Sequence, residues 1–182
     1  MLLNTPICDF GWPAVEFKLK DFAGVPVAMR DHVTEKGLLV IFMCNHCPYV
    51  KAVATRLSED TAQLMDEGFG VLGVMSNDYI SYPADAPARM AEFAEQHGFK
   101  FPYLVDEDQS VARTYDAICT PDFFGFNGKA ELQYRGRLDD LRMGDEGERA
   151  PELLNAMRQI GDSGQGPIDQ IASMGCSIKW RS

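Results

Sequence analysis

The sequence is short of several things, and each shortage excludes something. No uninterrupted apolar run approaches the roughly 20 residues that a bilayer-spanning helix needs. The opening MLLNTPICDFGWPA has no basic segment ahead of an apolar core, so a secretory signal is not expected. Positive charge is scarce: 17 Lys and Arg stand against 27 Asp and Glu, a formal net charge of −10 over 182 residues. A surface of that sign repels phosphate, so neither nucleic acid nor an anionic membrane is an expected partner. No internal repeat, low-complexity block or long polar linker divides the chain. One domain over 1–182 is expected, with its core at about 15–161 and a tail at 162–182. The five cysteines are an odd count, which argues against a fully paired disulfide framework. Without an export signal the expected compartment is a reducing cytoplasm. There, cysteine pairs serve catalysis or metal binding more often than structure.

What is present is ordinary globular material, 46% hydrophobic and 24% charged, long enough to bury a core. Val15, Phe17 and Leu19 alternate with charged residues and predict a half-buried strand. A turn at Asp21–Gly24 and an edge strand at Val25–Val27 follow, because Pro26 suits an edge. The run Leu38–Met43 (LLVIFM) reads as a strand buried on both faces. After CNHCP, apolar residues at helical spacing from Val50 to Met65 predict a helix that stops at Gly68. The pattern then predicts strand Val71–Met75, helix Ala86–His97 ending at Gly98, strand Phe101–Val105 and short helix Gln109–Tyr115. Strand Phe123–Phe126, a turn at Asn127-Gly128 and an antiparallel return at Leu132–Arg137 come next, then a helix at Pro151–Ile160. Arg135 and Arg137 read as solvated edge-strand residues. The order implies a mixed α/β sandwich with helices on both sheet faces.

The chemistry centres on Cys44-Asn45-His46-Cys47, placed between a buried strand and a helix N-terminus. Free N–H groups of a first helical turn carry partial positive charge and lower the pKa of a nearby thiol. A two-residue spacer lets the two sulfurs approach to bridging distance. His46, when protonated, adds positive charge, and Pro48 suits the first helical position. This reading makes Cys44 the attacking thiol at an exposed helix tip and Cys47 the resolving thiol. It also predicts a pair less reducing than thioredoxin. The rival reading is half a zinc site, weakened because no second CxxC or HxxxH exists.

Thr120-Pro121 precedes a strand, where a proline without an N–H belongs. The residues alone leave a plain trans turn and a cis bond both open. A cis bond would turn the loop towards Cys44 and Cys47 and free its backbone to pair with an extended substrate. Cys119 reads first as a small buried side chain, and with Cys176 it is a candidate extra redox thiol. Asn77, Asp78 and Tyr79 follow a buried strand at the sheet edge where α/β proteins build sites.

LLVIFM, CNHCPYV, VLGVMSND and YDAICTPDFFGFNGKAELQYRG, in that order, resemble the thioredoxin superfamily. The branch most resembled is the thioredoxin-like members of the AhpC/TSA group, supported by SNDYISYPADAP, FPYLVDE, YRGRLDD and the terminal GCSIKW. The resemblance implies a thioredoxin fold with a mixed central sheet flanked by helices, an N-terminal β extension and a C-terminal tail. It also implies a redox-active Cys44–Cys47 pair with Asn45, His46, Pro48 and Thr120 around it, and a cis-proline at Pro121. The implied activity is thiol-disulfide exchange with protein thiols, with a thioredoxin or other dithiol as reductant and no cofactor or metal. A thiol peroxidase and a metal-binding module are the alternatives. The peroxiredoxin pattern would make Cys47 peroxidatic, but Cys44 stands where threonine belongs and Val40 where proline belongs. Thioredoxin's buried acid on the preceding strand is also missing from LLVIFM.

Overall fold

The computed structural model describes residues 1–182. Its strands are β1 (Leu2–Asn4), β2 (Lys18–Asp21), β3 (Pro26–Ala28), β4 (Leu38–Phe42), β5 (Gly70–Met75), β6 (Tyr103–Val105), β7 (Cys119–Thr120), β8 (Asp122–Phe126), β9 (Leu132–Tyr134) and β10 (Met174–Ser177). The helices are α1 (Pro48–Asp66), α2 (Pro87–His97), α3 (Ser110–Thr114) and α4 (Glu152–Ser163). Seven strands form the main sheet in the order β3-β2-β6-β5-β4-β8-β9. β4, β5 and β6 run parallel, and β2, β3, β8 and β9 add antiparallel neighbours on either side.

β4 shows why LLVIFM is apolar throughout. Leu39, Ile41 and Met43 enter a core with residues of α1, α2 and α4, while Leu38, Val40 and Phe42 enter a second core on the other face. That second core takes Val111, Ala112 and Tyr115 around α3, together with Met29, Trp12 and Trp180. Successive side chains of a strand point to opposite faces, so a strand covered on both sides has no place for a polar residue. Tyr115 stacks edge-on against Trp12, Phe17 and Phe124, which ties the N-terminal segment to the sheet. α4 runs one turn past the predicted end at Ile160, because Gly161 sits inside it against the Phe69 ring, where a Cβ would come within 2.6 Å.

Two expectations need correction. The hairpin between β8 and β9 is not a two-residue Asn-Gly turn. Asn127 N–H donates to the Glu131 carbonyl at 3.0 Å, and the left-handed position falls on Ala130. Gly128 is small because the Glu35 carbonyl passes where its Cβ would be. Arg135, read as solvated, is 6% exposed and pairs at 2.8 Å with Asp122, which is wholly buried. Its guanidinium also lies 4.3 Å from the centre of the Phe124 ring. Arg137 is half-buried and pairs with Glu152 at 2.7 Å.

Residues 162–182 do not trail. β10 lies between β1 and β7 in a second, three-stranded antiparallel sheet, so both ends of the described chain meet beside Thr120. These strands have two to four residues and sequences such as MGCS, with too little alternation to signal a strand.

Candidate redox site

β4 continues through Met43, whose N–H still reaches the Val74 carbonyl at 3.0 Å. The chain then leaves the sheet as Cys44-Asn45-His46, and Cys47 is the N-cap of α1, with Pro48 as the first helical residue. Cys44 therefore does not stand at an exposed helix tip, as the sequence reading had it. It is 1% exposed and precedes the helix, while Cys47, 0% exposed, occupies the terminus itself. The two thiols are neighbours and push each other's pKa in opposite directions.

The surroundings shift the two thiols in opposite directions. The Cys44 thiol, the main-chain N–H groups of Val50 in the first helical turn and of Cys176, and the Cys176 thiol all face the Cys47 sulfur. These contacts outweigh burial and hold the Cys47 thiol down, at about 4. Cys44 moves the opposite way, well above the ordinary thiol value, through the neighbouring Cys47, burial and the nearby Asp85 charge. Thr120 touches both sulfurs: its Oγ1 lies 3.4 Å from Cys44 Sγ, and its carbonyl oxygen accepts from the Cys47 thiol, when protonated, at 3.3 Å. The Thr120-Pro121 peptide is cis.

Asp85 is the residue the sequence reading missed. Its carboxylate is fully buried beneath the CNHC loop. Oδ1 accepts the Asn45 N–H at 2.8 Å and the His46 N–H at 3.2 Å, while Oδ2 accepts Asn77 Nδ2 at 2.8 Å. His46 Nδ1 donates to Oδ2 at 2.5 Å, which leaves Nε2 as the outward nitrogen of a ring stacked on Tyr82. These donors outweigh burial and hold the Asp85 carboxyl below the usual carboxylate value. Asn45 is braced from inside by the hydroxyl of buried Tyr103, which donates to its Oδ1 at 2.9 Å. The missing acid is thus not on β4 but between Pro83 and Pro87, in the YPADAP segment after β5. An acid flanked by two prolines beyond a buried strand was the available signal.

A second correction concerns the edge beside Pro121. The sequence reading left its backbone free for a substrate strand, but β10 already pairs with it: Cys176 stands opposite Thr120, and Ser177 opposite Cys119. Gly175 permits this, since a Cβ there would lie 1.8 Å from the Thr120 carbonyl oxygen. Asn77 carries the tail onto the acid, accepting the Lys179 N–H at 2.8 Å on Oδ1 while its amide donates to Asp85. Asp78 N–H holds the Lys179 carbonyl at 2.8 Å, and Tyr79 donates to Glu107 at 2.6 Å. Cys176 is half-buried, and Cys119 is fully buried with its thiol pushed up to about 12 by that burial. Cys44 Sγ, a His46 ring nitrogen and an Asp85 oxygen lie within 4.8 Å of one another. His46 and Asp85 already bind each other, and Cys44 lies against Thr120.

A dithiol between a central strand and a helix, facing a cis-proline loop at one end of a mixed sheet, is the thioredoxin-like arrangement. The chain belongs to the AhpC/TSA family, whose family model matches residues 10–137. It is similar to an uncharacterized conserved protein from Geobacillus kaustophilus, 37% identical, TM-score 0.92, over 100% of this chain and 97% of that one. A hypothetical protein from Sinorhizobium meliloti is 32% identical, TM-score 0.91, over 98% of both chains. A secreted disulfide oxidoreductase from Mycobacterium tuberculosis, 19% identical, shares the fold with TM-score 0.55 over 64% of this chain and 80% of that one. No curated protein sequence matches this chain. No helix is long and apolar enough to cross a membrane.

Proposed function

We propose that this protein is a thiol-disulfide oxidoreductase that cycles Cys44 and Cys47 between dithiol and disulfide in exchange with thiols and disulfides of protein partners. One observation carries the reading: Cys44 and Cys47 both lie against Thr120 of the cis-proline loop, with Cys47 at the N-terminus of α1. Cys47 is then the attacking sulfur and Cys44 the resolving one, the reverse of the order read from the sequence. Attack by the Cys47 thiolate on a partner disulfide forms a mixed disulfide and releases one partner thiol. Cys44 then attacks Cys47, releasing the second partner thiol and leaving the Cys44–Cys47 bond. Cys44 must lose its proton in that second step, and Asp85 lies close enough to influence it, with Asn45 and His46 holding the loop. His46 and Asp85 face the pair without touching a partner, so they are positioning residues.

A stabilised thiolate favours the reduced form, so the pair is expected to be more oxidising than thioredoxin's roughly −270 mV. Two measurements test the proposal on purified protein. A glutathione titration should show a two-electron couple above thioredoxin's potential that, on a Cys176→Ser background, is lost in both Cys44→Ser and Cys47→Ser. On a Cys176→Ser background, so that no third thiol releases the partner, incubation with a disulfide-bonded protein should leave Cys44→Ser, not Cys47→Ser, trapped as a mixed disulfide. Trapping only by Cys47→Ser would restore Cys44 as the attacking thiol. Absence of any two-electron couple would end the exchange reading, and peroxide consumption without disulfide exchange would favour the peroxidase.

A further inference from the structure

The tail is fastened over the dithiol more thoroughly than a loose terminus needs to be. Ile178 is buried in the second core, and its N–H donates to the Ile118 carbonyl at 2.9 Å. Gln109 holds the Lys179 carbonyl at 2.8 Å and accepts the Arg181 N–H at 2.8 Å. Trp180 lies under the Arg113 guanidinium, 4.3 Å away. Before the strand, Ser173 Oγ donates to the Pro121 carbonyl at 2.8 Å. These ties fix the register in which Cys176 faces Thr120, the residue whose oxygens contact both Cys44 and Cys47. Cys176 packs on the same cluster as the pair, while remaining half-exposed where they are sealed. Cys47 neighbours both Cys44 and Cys176, and Asp85 faces Cys44.

We propose that Cys176 is a third thiol of the redox centre, an internal exchange partner that takes the disulfide from the sealed pair and presents it at the surface. The proposal rests on the exchange reading above and names the group that first receives its disulfide. In the oxidised protein, Cys176 gives up its proton and its sulfur attacks Sγ of Cys47. The Cys47–Cys176 bond forms as the Cys44–Cys47 bond breaks, and Cys44 leaves with the electron pair and takes up the proton. One disulfide exists before and after, so the step needs no external oxidant or reductant. An incoming dithiol then attacks at half-exposed Cys176 and does not have to reach the buried sulfurs. The arrangement also explains why the edge beside Thr120 is closed to an incoming strand: the chain supplies its own.

The experiment uses the full chain. Cys44→Ser is oxidised with diamide, alkylated, and digested with trypsin without reduction. The three relevant cysteines fall on separate tryptic peptides, 37–51, 114–129 and 159–179. A bond between 37–51 and 159–179 as the main product is expected. A bond from 37–51 to 114–129, or free thiols on both peptides, overturns the proposal. A second measurement holds if that variant does not fold. The oxidised Cys176→Ser protein, which keeps the Cys44–Cys47 disulfide, should be reduced by a dithiol about tenfold more slowly than wild type, or slower still. Reduction at the wild-type rate overturns the proposal. Wild-type protein that forms no Cys44–Cys47 disulfide overturns the underlying exchange reading, and this one with it. Wild-type protein that forms it while Cys44→Ser makes no Cys47–Cys176 bond overturns the third thiol alone.

Discussion

Asp85 and His46 lie 2.5 Å apart, carboxylate Oδ2 to ring Nδ1, under a loop whose two main-chain N–H groups end on the other oxygen of the same acid. One buried charge therefore sets the path of the loop and the orientation of the imidazole, and it also acts on the neighbouring Cys44 thiol.

Asp85→Asn keeps the shape but replaces an acceptor with an amide that faces two donors, His46 Nδ1 and Asn77 Nδ2. The expected loss of stability is about 1–3 kcal/mol, the usual range for buried groups left without a partner. Cys44 should also fall towards its ordinary thiol value, because the Asp85 charge is among the causes that raise it. Chemical denaturation of the reduced protein and the pH profile of thiol alkylation check the two effects. A variant unchanged in both would remove Asp85 from the site.

The Cys47 thiol is held low in the folded protein and takes its ordinary value, near 9, when unfolded. Over that interval the unfolded chain binds the extra proton. The contribution to stability is therefore complete above about pH 9 and is lost as pH falls towards 4. Buried Asp122, held up at about 6, has the opposite slope at lower pH, so the interval between pH 6 and 9 isolates the cysteine best. Reduced wild type should gain stability relative to Cys47→Ser across pH 6 to 9. Denaturant unfolding at constant reductant reads the difference, and parallel curves would contradict a stabilised Cys47 thiolate.

Gly175→Ala pushes a methyl into the Thr120 carbonyl, which must shift, because it is backbone and not the flexible end of a side chain. β10 is expected to lift from β7 while the seven-stranded sheet stays intact. Iodoacetamide should then reach Cys44 and Cys47 several-fold faster than in wild type, at unchanged helical circular dichroism. Equal alkylation rates in the two proteins would show that the tail does not guard the pair.

Arg135→Leu strands the Asp122 carboxylate in an apolar interior. Removing one partner of a buried ion pair costs about 3–5 kcal/mol. The loss should be smaller at pH 5 than at pH 8, because Asp122 can escape by taking a proton. A pH-independent difference in unfolding free energy would mean that Asp122 carries no charge in the native protein.

Much of this was legible in the residues. LLVIFM announced a strand covered on both faces, because only such a strand has no polar side. CNHCP placed a dithiol at a helix start, since proline is at home in the first helical turn. The roles of the two sulfurs were not legible. They depend on which residue becomes the N-cap, a shift of three positions that propensity does not resolve, and on a neighbour 38 residues further along the chain from Cys47. Asp85 reaches the loop through tertiary packing alone, and no spacing rule links it to Cys44. Arg135 looked solvated because alternation marks an edge strand but cannot show that β9 is roofed by α4 and the segment after it. The tail escaped for a similar reason: Gly175 reads as flexibility, and only the path of Thr120 shows it to be a close approach.

The pairing of Leu2 with Cys176 makes the sealing of the sulfurs the joint work of the earliest and latest segments described. During synthesis the thiols at 44 and 47 emerge long before the strand that will shelter them, so a growing chain exposes them to whatever oxidant surrounds it. The centre is then complete only when residues near 176 dock between Leu2 and Thr120.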